Sequence, residues 1–256
     1  MSWLRNSISL AGATTLLGLA LSSCADNESM LFVQGVLAID QTDCVATPEA
    51  NATMYPSGIL DLSLTSRYSA ALLVASQLTQ RGSREQLRTE SARLSLEGAE
   101  VTLEDSKGPI TSISPNPFTS RGTGLANPAA GTEPGYAAMF VDLVPASISP
   151  NLPDGQITAK IRVFGTTLGG QEIESKEFRF QIQVCRGCLV DYGSGKGACV
   201  VTEDMQDSAV CLAGQDRRVP CAYCSGGNGV CANVCNNCYQ AEASGLCPNG
   251  KPSTCP

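Results

Sequence analysis

Histidine is absent from this chain of 256 residues, and positively charged residues are few. Without histidine the chain cannot form a Ser-His-Asp or Cys-His nucleophile arrangement, an HExxH zinc motif or an imidazole general base. There are 17 Lys and Arg residues against 24 Asp and Glu, and the formal net charge is -7 at pH 7. Nucleic acid binding needs a positively charged face that neutralises phosphates. We therefore expect no nucleic acid partner.

The chain also lacks the residue combinations that identify an enzyme. No nucleophile, base and orienting group can be named together. The carboxylates of Glu97, Glu100, Glu104 and Asp105 could form a glycosidase pair by residue type. In a run of this kind on a sheet, however, we expect them to be solvated. The sequence predicts no catalytic residues, no cofactor and no enzymatic activity.

The first 24 residues have the features of an export signal. Arg5 gives a short positively charged head, and an apolar stretch follows from Ile8 to Leu21. This stretch is shorter than the roughly 20 apolar residues that a transmembrane helix needs. It ends in Leu21-Ser22-Ser23-Cys24, which is an aliphatic residue, two small residues and a cysteine.

This ending resembles the lipobox of bacterial lipoproteins, and the resemblance covers residues 1–24. In that family the cysteine thiol receives diacylglycerol, the signal is removed in front of the cysteine, and the new amine is acylated. The resemblance implies that residues 1–23 are a signal peptide and that residues 24–30 are a tether. Cys24 would then be the lipidated first residue of the mature chain. The alternative is a plain secretory signal, but no A-x-A cleavage site occurs near Cys24.

The residues after Cys24 bear on which membrane receives the chain. In lipoproteins of diderm bacteria, an aspartate directly after the cysteine often signals retention at the inner membrane. Ala25 takes that position here, and Asp26 follows it. The resemblance therefore favours the outer membrane, with the periplasmic and surface faces both open. It implies that the membrane is a partner through the acyl chains, and a protein in the envelope or on the surface is a second candidate.

From Leu31 to Val184 the hydrophobic pattern is that of β-strands. The clearest strand is Phe178–Val184, in which apolar and polar residues alternate. Apolar residues also alternate over Ile157–Val163, and the connection around Gly169-Gly170 predicts a hairpin between these two strands. Further strands are predicted at Leu31–Ile39, Leu60–Leu64, Ala70–Leu78, Leu94–Leu103 and Ala137–Val144.

Seven strands separated by turns predict an all-β fold, an antiparallel immunoglobulin-like sandwich over residues 31–184. The Cys…Trp…Cys core of a true immunoglobulin domain is missing. Within Leu94–Leu103 the apolar positions change parity across Gly98, which predicts a bulge or a tight turn. Residues 106–135 contain five prolines and show no alternation. We predict that they form a long loop, the most protease-sensitive part of the sandwich.

Eleven of the 13 cysteines lie in residues 185–256, a density typical of a disulfide scaffold. Bulky aliphatic residues are few there, so the segment cannot bury enough apolar surface to fold alone and needs cross-links. We predict a small, loop-dominated disulfide module. Its cysteines are Cys185, Cys188, Cys199, Cys211, Cys221, Cys224, Cys231, Cys235, Cys238, Cys247 and Cys255.

The odd number of cysteines in this module has a consequence for Cys44. If Cys24 is lipidated and the other twelve cysteines are all oxidised within the chain, at least one bridge must leave the module. Cys44 is the one cysteine left to receive it. We expect this bridge to fasten the module to the sandwich, with Cys185 or Cys188 as partner because they directly follow the last strand. The remaining connectivity cannot be deduced from sequence.

The spacing Cys221-x2-Cys224-x10-Cys235-x2-Cys238 has a second interpretation. Each CxxC pair could offer two thiolates to one tetrahedral zinc ion, and Cys185-x2-Cys188 would add half a site. In an oxidising envelope disulfides are favoured, so no metal ligand is predicted. A thioredoxin-like redox role is not indicated, because such motifs lie at a helix N-terminus after a strand and no such pattern surrounds these pairs.

Beyond the lipobox, the order of lipid tether, β domain and cysteine-rich end resembles that of uncharacterised bacterial cell-envelope lipoproteins. This resemblance is one of layout and assigns no site residues. The sequence therefore predicts a non-enzymatic, lipid-anchored protein of the outer membrane or cell surface with a structural or binding role. The alternative is a module that binds a metal ion or a small ligand through its C-terminal cysteines.

Overall fold

The computed structural model describes residues 30–82, 89–191 and 211–220. Across these ranges the regular structure is β-strand apart from a single turn of 3-10 helix at Ser149–Asn151, and no helix there is long and apolar enough to cross a membrane. The strands are β1 (Leu31–Leu37), β2 (Met54–Tyr55), β3 (Gly58–Asp61), β4 (Tyr68–Ser76), β5 (Leu94–Asp105), β6 (Gly108–Pro109), β7 (Phe118–Ala126), β8 (Gly135–Val144), β9 (Gly155–Thr167), β10 (Glu172–Glu174), β11 (Phe178–Cys185), β12 (Val190–Asp191) and β13 (Val219–Pro220).

The main strands form two sheets that pack face to face. The first has the order β2-β1-β4-β8, and the second has the order β3-β11-β9-β5, with β6 and β7 on the outer side of β5 and β10 beside β9. Pairing within both sheets is antiparallel except between β3 and β11, which run parallel. Strands β1, β4 and β8 therefore face β7, β5, β9 and β11, the arrangement of an immunoglobulin-like sandwich. The predicted fold class is confirmed.

The core consists of the inward-facing side chains of both sheets. In β9 the alternating residues from Ile157 to Val163 are buried, as the sequence predicted, and they meet Leu72 of β4 and Met139 of β8 in one cluster. Period-two alternation produces this result because successive side chains of a strand point to opposite faces. The strand ends differ from the predicted ones by a few residues, and the predicted β9–β11 hairpin is present.

The predicted irregularity at Gly98 is also present. The pairing of β5 shifts register between Leu96 and Gly98 against both β7 and β9. A Cβ atom at Gly98 would lie 2.6 Å from the carbonyl oxygen of Ser120. The residue is glycine because two backbones approach closely at this bulge.

The prediction of a long loop over residues 106–135 was wrong. Strand β7 lies within this segment and pairs with β5. The inward-facing positions of β7 include Ser120, Gly122 and Gly124, which are too small to give a hydrophobic alternation. A Cβ atom at Gly122 would lie 2.5 Å from the carbonyl oxygen of Phe140 in β8. Small residues are needed here because β7 and β8 approach closely where the two sheets meet.

The turn before β7 is also held in place. The Asn116 side chain accepts the N–H of Leu103 at 2.9 Å and donates to the carbonyl oxygens of Leu103 and Ile110 at 2.9 and 3.1 Å. Ile110 and Ile113 are buried in the core. These contacts fasten a segment with many prolines to β5, so proline content alone did not indicate a free loop.

The directions of β1 and β4 define the two ends of the sandwich. Strand β1 runs antiparallel to β4, with Leu31 opposite Ser76 and Val36 opposite Leu72. Met30 therefore lies at the end where β4 finishes, which we call the Met30 end. Tyr68 begins β4 at the opposite end, which we call the Tyr68 end. Strand β4 is nine residues long, which places the two ends about 26 Å apart.

Candidate functional site

Residues Cys211–Pro220, here called the clasp, lie across the Tyr68 end of the sandwich. A disulfide joins Cys211 to Cys44 in the turn region after β1, with a sequence separation of 167 and 5.5 Å between the two Cα atoms. The Cys211 N–H also donates to the side-chain oxygen of Gln41 at 3.1 Å. The clasp is thus linked both covalently and by a hydrogen bond to the segment that follows the first strand.

The clasp covers the outer edge of β3. The Asp61 N–H donates to the carbonyl oxygen of Gly214 at 2.8 Å, and the Asp216 N–H donates to the carbonyl oxygen of Ile59 at 3.0 Å. An uncovered edge strand presents unpaired backbone groups that can pair with another chain. The clasp satisfies these groups on β3, so one edge of the second sheet is closed.

Gln215 carries the clasp across to the first sheet. Its side-chain oxygen accepts the N–H of Ser69 at 2.9 Å, and its side-chain nitrogen donates to the Ser69 carbonyl oxygen at 2.6 Å. Gln215 is buried, with 5% of its surface exposed. Its amide makes the two hydrogen bonds that a neighbouring strand would make to β4. The clasp therefore joins both sheets at the Tyr68 end.

Asp216 makes the third connection. The buried Tyr68 hydroxyl donates to both carboxylate oxygens of Asp216, at 3.0 and 2.9 Å, and the Ile59 N–H donates to one of them at 2.8 Å. Burial raises the pKa of Asp216, although the hydrogen bonds from Ile59 and Tyr68 oppose this effect. Burial and the negative charge of Asp216 raise the pKa of Tyr68. Tyr68 is consequently a neutral donor throughout the physiological pH range.

A second carboxylate, Asp61, holds the CxxC loop that follows β11. Asp61 is fully buried, and its oxygens accept the N–H groups of Gly187 at 2.6 Å, Ser63 at 2.9 Å and Leu189 at 2.9 Å. Cys185 and Cys188 are joined to each other by a disulfide. Cys185 is half-buried and Cys188 is exposed. The loop therefore contains one exposed and one half-buried cysteine and rests on a buried carboxylate.

The ligand atoms of Asp61, Cys185 and Cys188 all lie within 4.8 Å of one another. Two thiolates and a carboxylate form a ligand set that suits zinc. In this structure, however, the two sulfurs are bonded to each other, and both Asp61 oxygens accept backbone hydrogen bonds. The group is therefore arranged as a disulfide ring held on a carboxylate.

The partner predicted for Cys44 was wrong. Cys185 and Cys188, the expected partners, are bonded to each other, and Cys44 is bonded to Cys211. The tertiary structure decides the pairing: the chain returns to the sandwich in the clasp, which brings Cys211 beside the segment after β1. Residues 185–191 and 211–220, which the sequence assigned to the cysteine-rich module, thus contact the sandwich.

The remaining predicted site residues lie outside the described part of the chain. Their lipidation and pairing stay predictions: Cys24, Cys199, Cys221, Cys224, Cys231, Cys235, Cys238, Cys247 and Cys255. With two bridges formed by the described cysteines, eight cysteines other than Cys24 remain. An even number allows all eight to pair among themselves.

Two of the carboxylates considered above are exposed, and one of the others forms an ion pair. Glu97 and Glu100 are exposed on β5, and Glu104 accepts from the ammonium group of Lys160 at 2.7 Å. Lys160 also lies 3.9 Å from a carboxylate oxygen of Glu177. Such cross-strand pairs are typical of the polar outer face of a sheet.

The sequence did not single out the residues that organise the Tyr68 end. Asp61 had a weak signal, since it is a lone carboxylate directly after the apolar residues Ile59 and Leu60. No local sequence pattern indicated Tyr68, Gln215 or Asp216, because their partners are more than 140 residues away in sequence.

Comparison with models of protein families found no match for this chain. Comparisons with curated proteins and with solved structures also found no match.

Proposed function

We propose that this chain is a non-enzymatic, lipid-anchored protein of the bacterial cell envelope, held in the outer membrane by acyl chains on Cys24. Its sandwich acts as a rigid spacer that carries the cysteine-rich segment away from the membrane. There the segment has a structural role or binds a protein partner. The anchor rests on the resemblance of Leu21-Ser22-Ser23-Cys24 to the lipobox.

The observation that carries the spacer role is the position of the first and last residues that the structure describes. The tether leads into Met30 at one end of the sandwich. The clasp, whose Cys211 is bonded to Cys44, leads into residue 221 at the Tyr68 end. A tether of seven residues spans at most about 25 Å. The Met30 end would therefore stay close to the membrane, and residues 221–256, with seven of the eight remaining cysteines, would start from the far end.

The anchor can be tested by metabolic labelling with a fatty-acid probe. We expect Cys24→Ala to abolish labelling and to leave the chain as an uncleaved precursor or a soluble species, because the thiol that accepts diacylglycerol is gone. Ser23→Ala is a matched control, since it keeps a small residue before the cysteine and should be labelled like the wild type. Equal labelling of the wild type and Cys24→Ala would refute the anchor.

The spacer role needs a separate measurement. We expect a protease added to outer-membrane fragments with both faces accessible to cleave residues 221–256 before the segment around Met30, because the membrane shields only the near end. A pattern in which cleavage near Met30 comes first would contradict the proposal.

The alternative function, binding of a metal ion or small ligand by the C-terminal cysteines, is tested by metal analysis together with a count of free thiols. Bound metal, and thiols that a chelator releases without reductant, would favour the alternative.

A further inference from the structure

The exposed large apolar side chains of the described residues are unevenly distributed over the sandwich. There are five of them: Met30, Val45, Leu125, Phe140 and Leu168. Leu168 and Leu125 have the largest exposed fractions, 57% and 51%, and Met30 has 36% of its surface exposed. Single exposed apolar residues are ordinary on a protein surface, whereas several on one surface mark a contact site.

Met30, Leu125 and Leu168 lie at the same end of the sandwich. Leu125 is the next-to-last residue of β7, and Leu168 directly follows β9. The last residues of β7 and β9 both pair with Leu94 of β5, so the two strand ends are about 10 Å apart. Met30 belongs to the other sheet, and it lines a groove of about 160 Å³ together with Gly169, the neighbour of Leu168. The three side chains are therefore all at the Met30 end.

The other two exposed apolar side chains lie elsewhere. Val45 follows Cys44, whose disulfide holds the clasp at the Tyr68 end. Phe140 lies on β8 opposite Ala71, away from the Met30 end of β4. Within the described ranges, the Met30 end thus carries three large exposed apolar side chains, and the other two are apart from each other.

The chain enters the sandwich at this same end. Cys24 lies six residues before Met30, so the proposed acyl chains stay within about 25 Å of the Met30 end. A surface on so short a connection meets its target at an effective concentration on the order of millimolar. An apolar contact too weak to hold a free protein on a bilayer is therefore populated in the anchored protein.

Charge adds no attraction between this end and a membrane. Among the described residues there, Arg81 is exposed and Arg93 is half-buried, and Glu90, Glu133 and Glu172 offset them. Proteins that bind bilayers by charge do so through clusters of lysine and arginine residues. A contact at the Met30 end would depend on its apolar side chains instead, and a zwitterionic phospholipid surface would be sufficient.

We propose that the Met30 end is a membrane-contact surface, in which Met30, Leu125 and Leu168 enter the interfacial layer of a phospholipid bilayer. This inference rests on the proposed function, because the acyl chains on Cys24 are what bring the Met30 end to the membrane. The contact adds a fixed orientation to the anchor. The Tyr68 end then faces away from the membrane, since it lies at the opposite end of β4.

Tryptophan reporters in the full lipidated chain test the contact. Trp3 is the only tryptophan and leaves with residues 1–23, so each variant carries one reporter. The probe is a phosphatidylcholine vesicle whose acyl chains carry bromine near the head group, where it quenches tryptophan fluorescence. We expect quenching by about half or more for Leu125→Trp and Leu168→Trp, because interfacial side chains reach this depth. Phe140→Trp is the matched control and should not be quenched.

Flotation of the vesicles separates the failure of this contact from the failure of the anchor. A chain that does not float with the vesicles would refute the anchor. A chain that floats while Leu125→Trp and Leu168→Trp are quenched no more than Phe140→Trp would refute the contact and leave the anchor intact. Quenching that disappears in high salt, or that requires an anionic lipid, would overturn the apolar contact as well.

A second measurement asks whether the exposed side chains act as one surface. Leu125→Ser is introduced into Leu168→Trp, and we expect it to reduce quenching of the reporter at least about twofold, because the shared apolar area is smaller. Val45→Ser in the same background is the control, since Val45 is equally apolar and lies near the clasp. Equal quenching in the two double variants would contradict a shared surface.

Discussion

The hydroxyl of Tyr68 donates to the carboxylate of Asp216 across 148 residues of sequence, at 2.9 Å to the nearer oxygen. Tyr68 begins β4 of the first sheet, and Asp216 lies in the clasp that covers β3 of the second. One hydrogen bond therefore connects the core of the sandwich to the segment that precedes most of the remaining cysteines. A hydrogen bond to a charged group contributes more to stability than one between two neutral groups.

Removing the Tyr68 hydroxyl should lower stability without changing the fold. Tyr68→Phe keeps the buried ring but leaves the Asp216 carboxylate with one donor fewer. We expect a loss of about 1–3 kcal/mol in the free energy of unfolding, measured by urea titration. Tyr55→Phe, at a half-buried tyrosine of β2, is the control and should change stability by less than about 0.5 kcal/mol. Equal effects of the two variants would contradict a specific role for Tyr68.

The carboxylate of Asp216 should make stability depend on pH. Burial raises its pKa in the folded chain, so between the ordinary and the raised pKa the folded state binds a proton that the unfolded state has lost. The contribution of Asp216 to the free energy of unfolding therefore falls as the pH rises through that window. Asp216→Asn does not titrate and should escape this fall.

The measurement is urea unfolding of the wild type and of Asp216→Asn at several pH values from acid to neutral. We expect the difference in stability to move in favour of the variant as the pH rises. Glu97→Gln, at an exposed carboxylate of β5, is the control and should follow the wild-type pH dependence. Parallel curves for the wild type and Asp216→Asn would exclude a raised pKa at Asp216.

The Cys44–Cys211 bond should be the larger contributor of the two described disulfides. Cys44→Ser/Cys211→Ser is expected to lower the free energy of unfolding by about 2–5 kcal/mol, because a long loop is no longer closed in the unfolded chain. Cys185→Ser/Cys188→Ser is the matched control and should lose less than about 2 kcal/mol. Peptide mapping without reduction should find Cys44 linked to Cys211. A link from Cys44 to any other cysteine would contradict the clasp.

The close approach of β7 and β8 can be probed at Gly122. A methyl group there would lie 2.5 Å from the Phe140 carbonyl oxygen, which is backbone and cannot move aside easily. We expect Gly122→Ala to destabilise the protein by about 1–3 kcal/mol in thermal or urea unfolding. Gly169→Ala, whose nearest neighbour would be 3.3 Å away, is the control and should have a smaller effect. A neutral Gly122→Ala would mean that β7 lies farther from β8.

The sequence by itself determined the strands whose two faces differ in hydrophobicity. Alternation over Ile157–Val163 and Phe178–Val184 indicated both the strand and the buried face, because the side-chain period of a strand is local. The glycine between two parities in β5 indicated the bulge for the same reason. The sequence pattern did not predict strand β7, because its inward residues are small. Their size is required by the neighbouring backbone of β8, which a local pattern does not reveal.

Only the tertiary structure decided how the Tyr68 end is assembled. Cysteine counting required Cys44 to find a partner in the C-terminal segment, but it could not choose Cys211, since that choice depends on where the clasp returns to the sandwich. The same holds for Gln215 and Asp216, whose partners Ser69 and Tyr68 lie on another sheet. A polar residue in a sequence does not reveal a distant donor. Its pairing is fixed only when packing has placed both groups together out of water.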